Sequence, residues 1–391
     1  MFSSRFPREF QPNRLTQALE ARRREGAPIL DLTESNPTRA GFAYPPEIVR
    51  AFDDPAALLY EPAPAGRPAA REAIAAYYAA RGQRVEPERI LLTASTSEAY
   101  AYLFKLLTDP GDQVLVPRPS YPLFECLASL ESVEVRSYPL SYHGRWAIDL
   151  EALEAAVTDR TRAVIVVNPN NPTGHFLKHS ELEYLQRLCA ARRLALIADE
   201  VFSDYGFGSD PERVVSLAGV EDCLTFSLSG LSKIAGLPQM KLGWMVVSGP
   251  ASSRAHAWER LEWIADAYLS VGTPVQHAAA GLLVAGEGVQ QQIRQRTWEN
   301  LQFARQTLAG SCATALAVEG GWYLVLQVPR VRTGEEWALE LLARCHTLVQ
   351  PGYFYDFDSE AFLVISLLTE PAAFREGLAR VTRFLDAASV K

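Results

Sequence analysis

The sequence predicts an α/β protein, a mostly parallel sheet with helices on both faces, joined to a smaller α+β unit. Two observations predict it. Short runs rich in Val, Ile and Leu, lacking clean alternation, recur between amphipathic stretches of helical period, as expected of strands buried on both faces. From about Gly281 the texture changes to long helical stretches with only two apolar runs between them.

The runs of the first region are ILLTA (90–94), QVLVP (113–117), AVIVVN (163–168), LALIAD (194–199), CLTFSL (223–228) and LGWMVV (242–247). Between them the spacing predicts helices over 97–108, closed by Asp109-Pro110-Gly111, then over 149–157, 179–192 and 251–268. In the second region a helix is predicted over 285–309, a strand in GGWYLVLQVP (320–329), a helix over 333–346, a strand in AFLVISLL (361–368) and a closing helix over 372–387. The first 40 residues show no sheet unit of their own and are expected to pack beside the second region.

Composition narrows the function classes. At roughly 150 residues per domain, 391 residues allow two to three domains. The 38 Lys+Arg against 46 Asp+Glu leave a net charge of −8, which argues against a nucleic-acid partner. Five cysteines, Cys126, Cys189, Cys223, Cys312 and Cys345, are scattered without C-x-x-C or metal spacing, as in a reducing compartment. MFSSRFPREFQPNRL at the start holds no apolar run of signal-peptide length, and no stretch approaches the ~18 apolar residues of a membrane span. A cytoplasmic protein without membrane contact is expected.

Ligands of open α/β sheets collect beyond the carboxyl ends of the strands, so the residues after each run are the candidates. After ILLTA come Ser95-Thr96-Ser97-Glu98, with capping-box spacing at a helix start whose free N–H groups suit an anion. After QVLVP comes Arg118-Pro119-Ser120-Tyr121-Pro122, which brings an aromatic ring. AVIVV leads into Asn168-Pro169-Asn170-Asn171-Pro172-Thr173-Gly174, a turn-forming run with amides. LALIA leads to Asp199-Glu200, and CLTFS to Leu228-Ser229-Gly230-Leu231-Ser232-Lys233, with Lys241 eight residues on. An anion site, a ring, an amide, a carboxylate and two lysines form the inventory that pyridoxal phosphate requires. His175 and His179, four apart at a helix start, lack a third candidate ligand, and no metal site is expected.

These residues carry a resemblance. SNPT (35–38), Tyr60 with Gly66 and Ala70-Arg71, TASTSEA (93–99), PSYP (119–122), NPNNPTG (168–174), DEVF (199–202) and SGLSK…KLGW (229–244) resemble, in the family's order, the motifs of fold type I pyridoxal-phosphate enzymes of the class I/II aminotransferase superfamily. The resemblance implies a large domain over 41–284, with a mostly parallel seven-stranded sheet, and a small α+β domain from 1–40 and 285–391. It implies that Lys233 forms the Schiff base and moves protons, and that Asp199 pairs with the ring nitrogen. Asn171 is implied for the phenolate oxygen and Tyr121 for stacking. Ser95, Thr96, Ser97 and Lys241 are implied for the phosphate, assisted by Ser229 or Ser232. Tyr60 would reach the phosphate of a neighbouring subunit, which implies a homodimer. Transfer of an amino group from an amino acid or amine to a 2-oxo acid is the implied reaction; a lyase, decarboxylase, oxidase or cyclase on the same scaffold is the alternative.

Three positions depart from the family pattern. Phe202 stands where a tyrosine is usual, removing a hydroxyl and raising the expected pKa of the lysine–cofactor imine; Tyr205 is a candidate substitute. Lys241 replaces the usual arginine and loses bidentate geometry. Val364, in Phe362-Leu363-Val364-Ile365-Ser366, stands where the arginine that clamps the substrate carboxylate is expected. Arg39 and Arg118 are the candidate replacements, with Asn36 and Trp322 as further candidate substrate contacts.

Overall fold

The computed structural model describes residues 3–6 and 11–389. Its main sheet has eight strands, in the spatial order Ile90–Thr93, Gly243–Ser248, Thr225–Gly230, Ala195–Asp199, Thr161–Val167, Gln113–Arg118, Glu134–Tyr142 and Trp146–Ile148. The run from Thr225–Gly230 to Glu134–Tyr142 is parallel throughout. Gly243–Ser248 runs antiparallel to both of its neighbours. The six apolar runs all form strands, and their side chains are buried because helices cover both faces.

The last two strands escape the hydrophobic pattern. Glu134–Tyr142 mixes exposed and buried positions and carries Pro139, as an edge strand can. Trp146–Ile148 adds an eighth, antiparallel strand to the seven expected, as a three-residue hairpin arm. The helix expected over 285–309 begins earlier, at Thr273, and runs to Leu308. Gly286 marks a close approach rather than an end, since a Cβ there would stand 2.4 Å from the Ala235 Cβ.

Apolar clusters fill both faces of the main sheet. A further cluster joins the chain ends: Leu15 and Leu32 pack with Leu301, Leu324, Trp337, Phe374 and Leu378. Here Leu30–Asp31 pairs in parallel with Thr347–Leu348. A separate antiparallel sheet aligns Thr314–Ala315, Tyr323–Gln327, Phe362–Ser366 and Gln350–Pro351. The helix Thr273–Leu308 serves both regions, with Leu282 and Val289 in one cluster and Leu301 and Leu308 in the other.

Leu32 is fully buried, and its Cδ2 lies 2.8 Å from where a Cβ on Gly377 would sit. Leu32→Ala should therefore lower the unfolding free energy by about 3 kcal/mol, as for other buried Leu→Ala truncations. Urea denaturation measures it; a loss below ~0.5 kcal/mol, typical of surface sites, would detach the N-terminal segment from this core.

Candidate active site

A cavity of about 420 Å³ opens at the carboxyl ends of the parallel strands. Asp199 and Gly230 end two of these strands, and Ser95 and Ser120 follow two others. Ser95, Thr96, Ser97, Tyr121, Asn171, Asp199, Ser232, Lys233 and Lys241 all line it, so residues spread over 147 positions of sequence meet in one place.

The local sequence explains each placement. Ser95 caps the helix Thr96–Leu107 by accepting from the Glu98 N–H at 3.2 Å, and Glu98 Oε2 accepts from the Ala94 N–H at 2.7 Å. The Ser95 Oγ thereby accepts from its own helix and keeps its O–H as a donor, and the first-turn residues Thr96 and Ser97 line the cavity with amides suited to an anion. Gly243 lets this turn come close, because a Cβ there would be 3.2 Å from the Ser95 Cα. Lys233 sits on the short helix Leu231–Ile234 directly after its strand.

Burial sets the electrostatics. It pushes the Lys233 amine down to about 8, against the pull of the Asp199 charge. It also pushes the Asp199 carboxyl up to about 6, against hydrogen bonds from Val201 N and the Tyr100 hydroxyl, both 3.3 Å, and the Lys233 charge. Lys233 Nζ lies 4.9 Å from the Trp322 ring centre and 5.6 Å from that of Phe202. The Asn171 Oδ1 and Ser120 Oγ are buried without a protein partner.

Other expected residues lie elsewhere. Ser229 points to the opposite side of the sheet, because strand residues alternate faces, and lines a different cavity beside Glu200. Tyr60 is 68% exposed, outside this chain's own cavity. The Asn36 Oδ1 turns back to Thr38 N and Oγ1, and Arg39 projects from the exposed turn that follows. Arg118 is occupied by Asp356 and Asp358, at 3.3 and 2.7 Å. Neither candidate arginine therefore lines the cavity. Trp322 is fully buried beneath Lys233 rather than on the cavity wall. Tyr205 donates to the Lys233 carbonyl at 2.5 Å, so its hydroxyl supports the backbone and does not replace the one absent at Phe202. His175 precedes the helix His179–Arg192 instead of sharing it, and its Nε2 meets Glu181 at 3.1 Å.

Ser35 and Ser120 lie within the motifs SNPT and PSYP without a role read for them, and Tyr100 and Gln350 were missed. The tyrosine lies mid-helix and Gln350 in a two-residue strand, where no spacing signal exists.

The comparisons with known proteins now decide the family. The family model of aminotransferase class I and II matches residues 27–381. The chain belongs to the class I and II aminotransferase family. It is an aminotransferase, similar to the glutamate-pyruvate aminotransferase of Escherichia coli strain K12, with 33% identity over 287 residues covering 70% of each chain. The corresponding Haemophilus influenzae enzyme is 27% identical over 93% of this chain and 92% of its own. Among solved structures, an Escherichia coli aminotransferase has a TM-score of 0.86, with 26% identity covering 98% of both chains. An alanine aminotransferase from Pyrococcus furiosus shares the fold, with a TM-score of 0.87 at 23% identity, covering 95% of this chain and 96% of its own. No helix among the described residues is long and apolar enough to cross a membrane.

Lys233 should outpace exposed lysines toward a small aldehyde trapped by cyanoborohydride. With its amine near 8, the neutral fraction rises about tenfold from pH 7 to pH 9, and labelling should rise with it. Peptide mass spectrometry locates the adduct; labelling of Lys233 that tracks the exposed lysines at every pH would contradict the low amine pKa.

Proposed function

We propose that this cavity binds pyridoxal phosphate and that the chain passes an amino group from an amino donor to a 2-oxo acid in two half-reactions. One observation carries the assignment: the Lys233 amine, pushed down by burial, shares a cavity with the buried Asp199 carboxyl and the open start of the helix Thr96–Leu107. The unpartnered Asn171 Oδ1 and Ser120 Oγ belong to residues that line this cavity and suit a polar ligand. When bound, the cofactor supplies an aldehyde carbon that accepts the amino group and a ring that draws charge from the substrate Cα.

This chain's residues do the rest. Lys233 Nζ holds and returns the proton at the substrate Cα, a task suited to an amine near neutrality. Asp199 holds a proton at the ring nitrogen, with Tyr100 fixing its orientation. The first-turn amides, Thr96, Ser97, Ser232 and Lys241 hold the phosphate, and the Asn171 amide holds the ring oxygen. Tyr121 covers one ring face. Residues 41–284 form the cofactor-holding body, against which the described residues of 1–40 and 285–391 pack. The five cysteines, scattered without C-x-x-C spacing, suit a reducing, cytoplasmic setting.

A homodimer explains the exposed apolar surface. Tyr60 follows Leu58 and Leu59, which are exposed, and Trp263 is 77% exposed. In the dimer Tyr60 reaches the partner's phosphate.

An amino-donor panel tests the reaction. Donors should bleach the visible band of the loaded enzyme and 2-oxo acids should restore it; release of ammonia or carbon dioxide with the band unchanged would overturn the transfer reading. For the dimer, Tyr60→Ala and Lys233→Ala proteins, each weakly active, should regain activity when unfolded and refolded together. Two-fold symmetry leaves about a quarter of sites intact in the mixture; no recovery with mixed dimers present would place Tyr60 outside the site.

A further inference from the structure

Lys233 has aromatic company. Its Nζ lies over the Trp322 ring, 4.9 Å from the centre, and 5.6 Å from the centre of the Phe202 ring. Trp322 is fully buried, and its indole N–H has no hydrogen-bond partner among the described residues. A buried indole usually finds a partner for that N–H, and an unpaired one costs stability. A phenyl ring in its place would leave no donor stranded. What the indole adds is its face, which attracts a cation more strongly than that of any other aromatic side chain.

The surrounding contacts fix this face against the lysine. Phe202 and Tyr205 meet Trp322 edge to face, with ring centres 5.1 and 5.2 Å away and planes at 69°. The Tyr205 hydroxyl donates to the Lys233 carbonyl at 2.5 Å, and the Gly321 N–H donates to the Tyr205 carbonyl at 2.9 Å. The Leu367 N–H donates to the Trp322 carbonyl at 2.7 Å. Tyr205 thus ties the lysine backbone and the indole to one another. The titratable groups that share the cavity with the amine are Asp199, Lys241, Tyr121, Tyr323 and Tyr355. The Asp199 charge pulls the amine up, against the downward push of burial.

We propose that Trp322 is a positioning residue for proton transfer by Lys233, its indole face holding the amine while it carries the proton taken from the substrate Cα. The inference rests on the aminotransferase site described above. In that reaction the Cα–H bond breaks, an N–H bond forms on the free Nζ, and the electron pair stays with the substrate, drawn toward the cofactor. The amine gains its positive charge at that moment, in a place where it is already half-buried. Asp199 is then engaged at the ring nitrogen, so its pull is shared between two cations. The indole face has no second duty. Its attraction acts on the charged amine and not on the neutral one, so it favours the arrival of the proton and keeps Nζ in place until the proton is returned.

The pH profile of Lys233 labelling by formaldehyde and cyanoborohydride, read by peptide mass spectrometry on the cofactor-free chain, tests this hold. Losing the indole face destabilises the protonated amine. The midpoint should therefore fall by about half to one pH unit in Trp322→Leu, and by less in Trp322→Phe, which keeps a ring of weaker attraction. A merely structural role gives the opposite sign: loosened packing lets water reach the amine, and the midpoint rises toward the ordinary ~10.4 of lysine. Should Trp322→Leu fail to fold, the sign of the shift in Trp322→Phe decides. On the loaded enzyme, solvent exchange of the Cα hydrogen is followed for the panel donor that bleaches the visible band fastest. It should slow by about three- to tenfold in Trp322→Leu, through kcat rather than KM. A midpoint that rises or stays unchanged in the folded variants would overturn the proposal. A midpoint that falls as expected, with no donor exchanging its Cα hydrogen even in the native enzyme, would leave the hold of Trp322 on the amine standing and count against the transfer reading.

Discussion

Burial of two opposite charges in one small cavity is the constraint on which the site depends. Asp199 and Lys233 are both half-buried at the ends of neighbouring parallel strands, where desolvation pushes the carboxyl up to about 6 and the amine down to about 8. Each charge partly offsets the cost of the other, and the Tyr100 hydroxyl and the Val201 N–H share the load at the carboxylate. Such a pair is costly for folding, since buried charges gain less from each other than they lose from water. It is tolerated because the surrounding sheet is rigid and well packed, and it leaves an amine whose proton is held weakly enough to move near neutral pH.

The frame around the pair is correspondingly tied down. Tyr205 fixes the backbone of Lys233 from below, and Trp322 closes the space beneath its amine. The turn that carries Asn171 is locked to the second region. Lys178 Nζ bridges Asp210 at 2.8 Å and Glu319 at 2.6 Å, and Glu319 also accepts from the Phe176 N–H. At Gly320 a Cβ would stand 2.5 Å from the Phe176 ring. The strand Tyr323–Gln327 begins three residues later, so the Tyr323 wall and the Asn171 turn hold a fixed relation. His175 adds to this network, its Nε2 meeting Glu181 at 3.1 Å.

Much of the cavity was legible because its residues follow strands, and a strand end is visible in sequence as an apolar run stopping at a polar residue. Asp199, Lys233, Asn171 and Ser95 all come shortly after such runs, and they line one cavity. Ser229 misled because it lies on a strand, where shifting by one residue reverses the face. Asn36, Arg39 and Arg118 misled because their types suit a substrate carboxylate, but their side chains are committed to a turn, to solvent and to Asp356 and Asp358. Gln350 left no trace, since a two-residue strand has no period to read.

The sequence by itself determined the alternation of buried strands and helices, the ordered motifs, and from them the family, because hydrophobic period and turn chemistry are local properties. It also showed that the arginine expected at position 364 is a valine. Only the tertiary structure decided which groups share the cavity and what burial does to Asp199 and Lys233. Those depend on the packing of segments far apart in sequence and on desolvation, neither of which has a local signature.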